Sequence, residues 1–315
     1  MSRDKATTYH APVLLEEVLQ WMQPRSGGRY VDGTAGGGGH TAALLEASAP
    51  EGQVLAIDRD PEAIEEVEDR LGDARDRLKL VHGNYSDAPR IIAQEGWETV
   101  DGWLVDAGVS SHQFDTGRRG FSIRHDGPLD MRMGPEATAV GPWLDGQEVD
   151  EIARVLKEYG EVSRAWRMAK AIAEARADGE LERTGQLAQL VVDVLGWPPK
   201  QSTHPAATVF QALRIAVNEE LDHLRRAVEA VPQVVGPGGR AVFISFHSLE
   251  DRIVKHGFRQ LEDPCTCPPD FPICGCGKVS KGEVLTSRPV EAGEEERATN
   301  PRAHSAKLRV FEVQD

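Results

Sequence analysis

The sequence predicts an α/β protein, a doubly wound sheet of parallel strands split along the chain by an inserted all-α domain. Three observations carry this expectation. A short apolar strand, Arg29-Tyr30-Val31-Asp32, runs into Gly36-Gly37-Gly38-Gly39 and then a helical segment. Strand-like and helix-like segments alternate to about residue 110. From about 115 to 215 only helical periodicity remains.

Strands are expected at 29–32, 54–58, 78–82 and 102–106, with a helix at 61–71 that opens on Pro61 and carries acids in its first turn. The segment 117–127 has no clear period and reads as an ordered loop rich in arginine. Apolar stripes at Ile152, Val155, Leu156 and Tyr159, at Trp166, Ala169, Ile172 and Ala173, and at Leu187, Leu190, Val191 and Val194 predict three helices. One long helix is expected over 210–231, with Phe210, Leu213, Val217, Leu221, Leu224 and Val228 on one face. Pro237-Gly238-Gly239-Arg240 then turns into a buried strand at 241–246, and a last strand covers 306–313. The expected domains are 1–114 with 216–315, a discontinuous α/β domain, and 115–215, a helical insertion.

The chain has 315 residues, 40% of them hydrophobic, enough for a sizeable core. No apolar run approaches the ~20 residues of a membrane span, and the first residues lead into no apolar signal segment. The expectation is a cytoplasmic protein with no membrane partner. A net charge of −15 argues against indiscriminate nucleic-acid binding, so any nucleic-acid contact needs a local basic patch.

The glycine run has the look of a ligand cradle. Glycines let a ligand lie against the backbone, and the helix that follows aims its first amides at it. Asp58 falls 20 residues after Gly38, the spacing at which a carboxylate meets the ribose hydroxyls of a nucleotide-like cofactor. Gly37-x-Gly39-x-x-Ala42 satisfies the permissive dinucleotide fingerprint, so NAD is one reading. Asp32 leads straight into the loop, and an acid there suits a cationic ligand such as S-adenosyl-L-methionine better than a pyrophosphate. Asp32, Asp58, Tyr85 and Asp106 all fall at or just beyond strand ends, where doubly wound sheets bind ligands.

Eight motifs in order then resemble one family. They are Asp32-Gly33-Thr34 with Gly38-Gly39-His40; Ala56-Ile57-Asp58-Arg59-Asp60; Asp106-x-Gly108-Val109-Ser110-Ser111-x-Gln113; and Arg119-Gly120-Phe121-Ser122. Asp126-Gly127-Pro128-Leu129-Asp130-Met131-Arg132-Met133, Phe210-Gln211-Ala212-Leu213-Arg214, Ser245-Phe246-His247-Ser248-Leu249-Glu250 and Asn300-Pro301-Arg302-Ala303 complete the set. From about Tyr9 onward the chain resembles the bacterial 16S ribosomal RNA cytosine N(4)-methyltransferase family (RsmH/MraW type).

That resemblance implies a Rossmann-like S-adenosylmethionine-dependent methyltransferase domain. The enzyme would methylate the exocyclic N(4) amine of a cytidine in the decoding (P-site) region of 16S rRNA, within the small ribosomal subunit and not on DNA. The cofactor contacts carried over are Gly38, Gly39, His40, Asp58, Tyr85, Asp106 and Gln113. Asp106 is also the candidate acceptor of the amine proton, Phe121 or Phe246 the candidate base-stacking residue, and His247 either a proton relay or a residue that orders its loop. Arg118, Arg119, Arg124 and Arg132 are candidates for phosphate contact or for ion pairs with Asp115, Asp126 and Asp130. The inserted domain would recognise the substrate.

All four cysteines, Cys265, Cys267, Cys274 and Cys276, lie within twelve residues. The clustering favours metal over disulfide in a cytosolic protein, and a structural zinc is one reading, reduced thiols the other. Two rival functions remain: an NAD-dependent dehydrogenase on the same glycine loop, and a non-catalytic rRNA- or ribosome-binding protein with a zinc module.

Overall fold

In the computed structural model, residues 12–197, 204–267 and 275–315 are described. The chain divides into two compact units, the first from Met1–Gly108 and Leu221–Asp315, the second Val109–Glu220.

The first unit is built on seven strands: β1 (Arg29–Asp32), β2 (Gln53–Asp58), β3 (Leu78–His82), β4 (Val100–Asp106), β5 (Val235–Ser245), β6 (Gly282–Val284) and β7 (Lys307–Val313). Their order in the sheet is β3-β2-β1-β4-β5-β7-β6. Strands β1 to β5 are parallel, and β7 runs antiparallel to both neighbours. The sequence order reverses direction at β1/β4, so the carboxyl ends of β1, β2 and β4 form the natural binding edge. Asp32, Asp58 and Asp106 are the last residues of those three strands.

Helices in the first half of this unit are α1 (Leu15–Met22), α2 (Gly39–Ala47), α3 (Pro61–Leu71) and α4 (Ala88–Gln94). Helix α3 forms where its sequence demands: the Asp60 side chain caps it by accepting from the Glu62 amide at 3.1 Å, Pro61 pre-sets the first φ, and Glu62 and Arg70 suit the helix dipole. On one face of the sheet Trp103, Phe243, Phe258 and Phe311 form a chain of rings with successive centroids 5.4 Å apart. All four are fully buried, and such aromatic pairs contribute about 0.5–1.5 kcal/mol each beyond area burial.

The second unit is helical: α5 (Ser111–Asp115), α6 (Val140–Asp145), α7 (Val149–Gly160), α8 (Ala165–Ala177), α9 (Thr184–Leu195) and α10 (Ala206–Asn218). Ile152, Val155 and Leu156 of α7, Met168 and Ile172 of α8, Leu187 and Val191 of α9, and Phe210 and Leu213 of α10 share one core. The expected boundaries at 114/115 and 215/216 thus lie beside observed divisions at 108/109 and 220/221.

Two expectations about elements need correcting. The single helix over 210–231 is two helices, α10 and α11 (Glu220–Val234), parted at Glu219 with φ 50°. The apolar period continues through the break, yet Phe210, Leu213 and Val217 belong to the core of the second unit, and Leu224 and Val228 to that of the first. The break is held by side chains. Arg214 grips Glu220 with two bonds of 2.8 and 2.9 Å, and buried Asn218 donates to the Met131 carbonyl at 2.7 Å while accepting from the Met133 amide at 2.8 Å. The second correction concerns 237–240, which is no turn before a strand. It is a bulge inside β5: Val100 pairs Val235, and Gly102 next pairs Arg240, so four residues of β5 oppose one of β4.

The remaining helices are α12 (Ser248–Glu262) and α13 (Glu294–Thr299). Among the described residues no helix is long and apolar enough to cross a membrane.

Replacing Asn218 with Ala strips partners from a buried amide and a buried carbonyl at once. Asn218→Ala is expected to cost about 1–3 kcal/mol, read as a lowered denaturant midpoint at unchanged m value. A loss below about 0.5 kcal/mol, the range of ordinary surface changes, would show that the break is held otherwise.

Candidate active site

The carboxyl edge of the sheet is organised around Asp32. Its side chain is fully buried and accepts from the Thr41 hydroxyl at 2.6 Å and the Thr34 amide at 3.2 Å. These bonds fix the glycine loop to the start of α2. Asp32 therefore does not face a cationic ligand, as its position in the sequence suggested; both its oxygens are engaged inside the protein. Burial raises its pKa above the usual carboxylate value, opposed by those hydrogen bonds.

The loop is further tied by Thr34, whose hydroxyl accepts from the Asp106 amide at 2.8 Å, and by Arg70, which donates to the Gly37 carbonyl. Its glycines serve different ends. Gly38 (φ 76°) needs its left-handed backbone, and a Cβ there would press on Val67 at 3.2 Å; one on Gly39 would meet Pro12 at 3.0 Å. Gly36 (φ 50°) has open space beside it and donates its amide to Asp58 at 2.8 Å. The cradle is thus open at Gly36, while Gly38 and Gly39 make room for the protein's own side chains.

Asp58 sits half-buried at the end of β2. Its oxygens accept from the amides of Gly36 and Asp60, both at 2.8 Å, which orient the carboxylate and leave it lone pairs for further donors. Burial pushes its pKa up to about 6, against those two bonds and with help from the charges of Asp60 and Asp32. Tyr85 is half-buried just after β3, close enough to Gly33 that a Cβ there would come within 2.9 Å of its own. Its ring meets His223 edge-on at 6.5 Å.

Asp106 ends β4, with its side chain 23% exposed. Its Oδ2 lies 3.8 Å from Nε2 of buried His40, in the first turn of α2. Among the described residues Asp106 Oδ1 and both ring nitrogens of His40 are buried with no hydrogen-bond partner. Burial holds the His40 imidazole down at about 4, neutral at physiological pH. Burial also pushes Asp106 up to about 8, with the charges of Asp32 and Glu250 adding to the rise and that of Arg302 opposing it. Arg302 and Glu250 come from motifs recognised in the sequence, but their electrostatic hold on Asp106 was not foreseen there.

Other residues singled out in the sequence are committed elsewhere. His247 caps α12: its Nδ1 accepts from the Glu250 amide at 3.4 Å, and Glu250 accepts from the His247 and Phe246 amides at 3.2 and 2.8 Å. It orders its loop. Phe246 is partly buried and borders Gly108, where a Cβ would stand 3.5 Å from its ring. In the second unit, Phe121 is 5% exposed and spends its ring on the helical core, which removes it as a stacking surface. Gln113 completes a capping box with Ser110 at the start of α5 and donates to the Met133 carbonyl at 3.2 Å. Arg132 makes a two-pronged pair with Asp130 at 2.8 Å, Arg119 donates to the carbonyls of Arg132 and Met133, and Asp126 pairs with Arg183. Arg118 and Arg124 are exposed. Cys265, Cys267 and Cys276 gather in the connection between α12 and β6, and Cys274 lies outside the described residues.

Five parallel strands, an antiparallel β7 inserted beside β5, and acids at the ends of β1, β2 and β4 around a glycine loop define a doubly wound, Rossmann-like methyltransferase. Residues 7–314 match the family model described as "MraW methylase family", and the chain belongs to that family. It is 50% identical over 311 residues to "Ribosomal RNA small subunit methyltransferase H" of Geobacter sulfurreducens, covering 97% of this chain and 99% of that one. Proteins with the same name from Syntrophotalea carbinolica (49% over 304 residues, 96% of this chain and 97% of the relative) and Citrifermentans bemidjiense (47% over 310 residues, 96% and 98%) are similar.

An acid whose pKa is raised by folding binds more protons folded than unfolded between its two pKa values. For Asp106 that window runs from 3.8 to about 8, and across it ionisation progressively destabilises the cofactor-free fold as pH rises. Asp106→Asn removes this penalty. Its stability gain over the unsubstituted chain is expected to grow by at most about 1.4 kcal/mol per pH unit through the window and to level off above it. A gain equal at all pH values would sink the assignment of a raised pKa.

Proposed function

We propose that this enzyme transfers the methyl group of S-adenosyl-L-methionine to the N(4) amine of a cytidine in the decoding (P-site) region of 16S rRNA, in the cytoplasm and on the small ribosomal subunit. The shared name of its relatives supports the rRNA substrate, and the resemblance read in its motifs supports the cytidine amine. The observation that carries the reading is the grouping of Asp58, His40 and Asp106 around one open glycine turn.

The residues fit the cofactor. Asp58 offers oriented oxygens for the ribose hydroxyls and Tyr85 an aromatic face for adenine. The helix start at Gly39 and His40 offers backbone amides to the methionine end, because first-turn amides lack acceptors within their own helix, while Gly38, whose own amide donates to the Ala35 carbonyl at 2.7 Å, shapes the turn that presents them. The buried, unpartnered atoms of Asp106 and His40 call for a polar ligand, since leaving such groups unmet costs about 1–3 kcal/mol each. The bound cofactor supplies an already activated methyl group on a sulfonium.

The protein's own work is then positioning and one proton. Cytosine N(4) is a weak nucleophile because its lone pair is delocalised into the ring. A carboxylate accepting a hydrogen bond from the amine localises that pair as the nitrogen–carbon bond forms. With the methyl group supplied by the bound cofactor, Asp106 would take the proton that the amine must lose as the new nitrogen–carbon bond forms. Positive charge placed near Asp106 favours its ionised form, and the Arg302 charge already acts in that direction. Phe246 beside Gly108 supplies a ring for base stacking. Gln113 is kept as a candidate contact, and Arg118 and Arg124 of the helical unit, the proposed substrate-recognition domain, are the arginines best placed to meet phosphate.

Tritium transfer from labelled cofactor to small ribosomal subunits, followed by mapping of the modified nucleotide, tests the reading. Label on N(4) of a cytidine is expected, and label on any other base refutes the substrate. Asp58→Ala should weaken cofactor binding about 10–100-fold, the loss of one or two charge-assisted hydrogen bonds, with a smaller effect on kcat. Asp106→Asn should instead lower kcat about 10²–10⁴-fold. In the free enzyme kcat/KM should rise with pH toward a plateau above about 8, as Asp106 ionises. Full turnover by Asp106→Asn would remove Asp106 from the chemistry.

A further inference from the structure

We infer that Cys265, Cys267 and Cys276 form a thiolate site for a structural zinc ion that clamps the connection between α12 and β6. Their three sulfurs all lie within 4.8 Å of one another, with Cys265 and Cys276 Sγ 3.9 Å apart. Thiolates held tetrahedrally at about 2.3 Å from zinc stand about 3.8 Å from each other, so the cluster already has the spacing of a coordination edge. A disulfide between Cys265 and Cys276 would need about 2.05 Å where their sulfurs stand 3.9 Å apart. Three soft sulfur donors select zinc over the hard cations that prefer oxygen.

The surrounding architecture shows why a clamp is useful here. Helix α12 ends at Glu262 and β6 begins at Gly282, so the connection is far longer than the usual few residues between elements. Apolar burial does not hold its returning limb: Val279 is 69% exposed. Gly277, Lys278, Val279 and Lys281 line a cavity of about 860 Å³ together with residues of α11 and α12, among them Val228 and His256. Near the base, the Lys281 amide donates to the Leu261 carbonyl at 2.8 Å. Cys265 and Cys267 lie on the outgoing limb and Cys276 on the returning one, so a shared ion joins the two limbs. Each thiol gives up its proton on binding, and the free energy of coordination offsets the entropy of ordering the connection. Cys265 is exposed and the other two are half-buried, which leaves a path for the ion to enter.

The test uses the full chain, purified without an affinity tag or chelator and kept reduced. Elemental analysis should find about one zinc per chain, released when a mercurial titrates the thiols. Replacement by cobalt should produce sulfur-to-cobalt charge-transfer bands and the intense visible bands of a tetrahedral ion, a readout that needs no variant. Cys265→Ser/Cys276→Ser should lose both the zinc and the bands and leave cofactor binding intact, because neither residue lies at the carboxyl edge of the sheet. Zinc below about a tenth per chain after reconstitution, cobalt spectra without sulfur bands, or undiminished zinc in the double variant would each overturn the inference.

Discussion

A single buried carboxylate holds the active edge together. Asp32 ends the strand at the switch point of the sheet, and its bonds to Thr34 and Thr41 set the path of the glycine loop and the first turn of α2. Its charge also reaches sideways. The strands ending in Asp58 and Asp106 flank β1, and Asp32 contributes to the raised pKa of both. Holding such a charge away from water is costly unless hydrogen bonds compensate it. The same residue therefore builds the cradle and loads it with acids that hold their protons more tightly than usual. A site prepared in this way stores repulsion that a cationic ligand relieves.

The chain's second organising feature is a helix break without glycine or proline. Glu219 takes a left-handed conformation that costs an ordinary residue about 1–2 kcal/mol. Asn218 and the Arg214–Glu220 pair fasten the residues on either side. One continuous apolar stripe thereby feeds two separate cores. Tertiary contacts override local preference here, which is why periodicity alone missed the break.

Much of the first unit could be read from the chain because its signals are local. Asp60, Pro61 and the acids that follow mark α3, and acids ending apolar runs mark the carboxyl ends of β1, β2 and β4. Other features depend on partners far along the chain. The bulge in β5 exists because β4 imposes a jump in register, and β6 has only three residues. At the site, Asp58 and Asp106 were legible from position. The inward turn of Asp32, the packing reasons for Gly38 and Gly39, and the influence of Arg302 and Glu250 on Asp106 were not, since each needs residues brought together by the fold. His247 shows the opposite case: a residue type suited to proton transfer that the local capping pattern claims for structure.

The position of β7 has a consequence for how the molecule comes into being on the ribosome. This strand lies between β5 and β6, and among the described residues β6 has no other neighbour in the sheet. The helical unit is one uninterrupted stretch of chain and can assemble while its sequel is still being made. The sheet cannot: its far side stays unpaired until residues 307–313 have been synthesised, leaving the edge of β5 open to wrong partners meanwhile. The strand ends that carry Asp32, Asp58 and Asp106 are encoded early, but the sheet that holds them is completed only with β7.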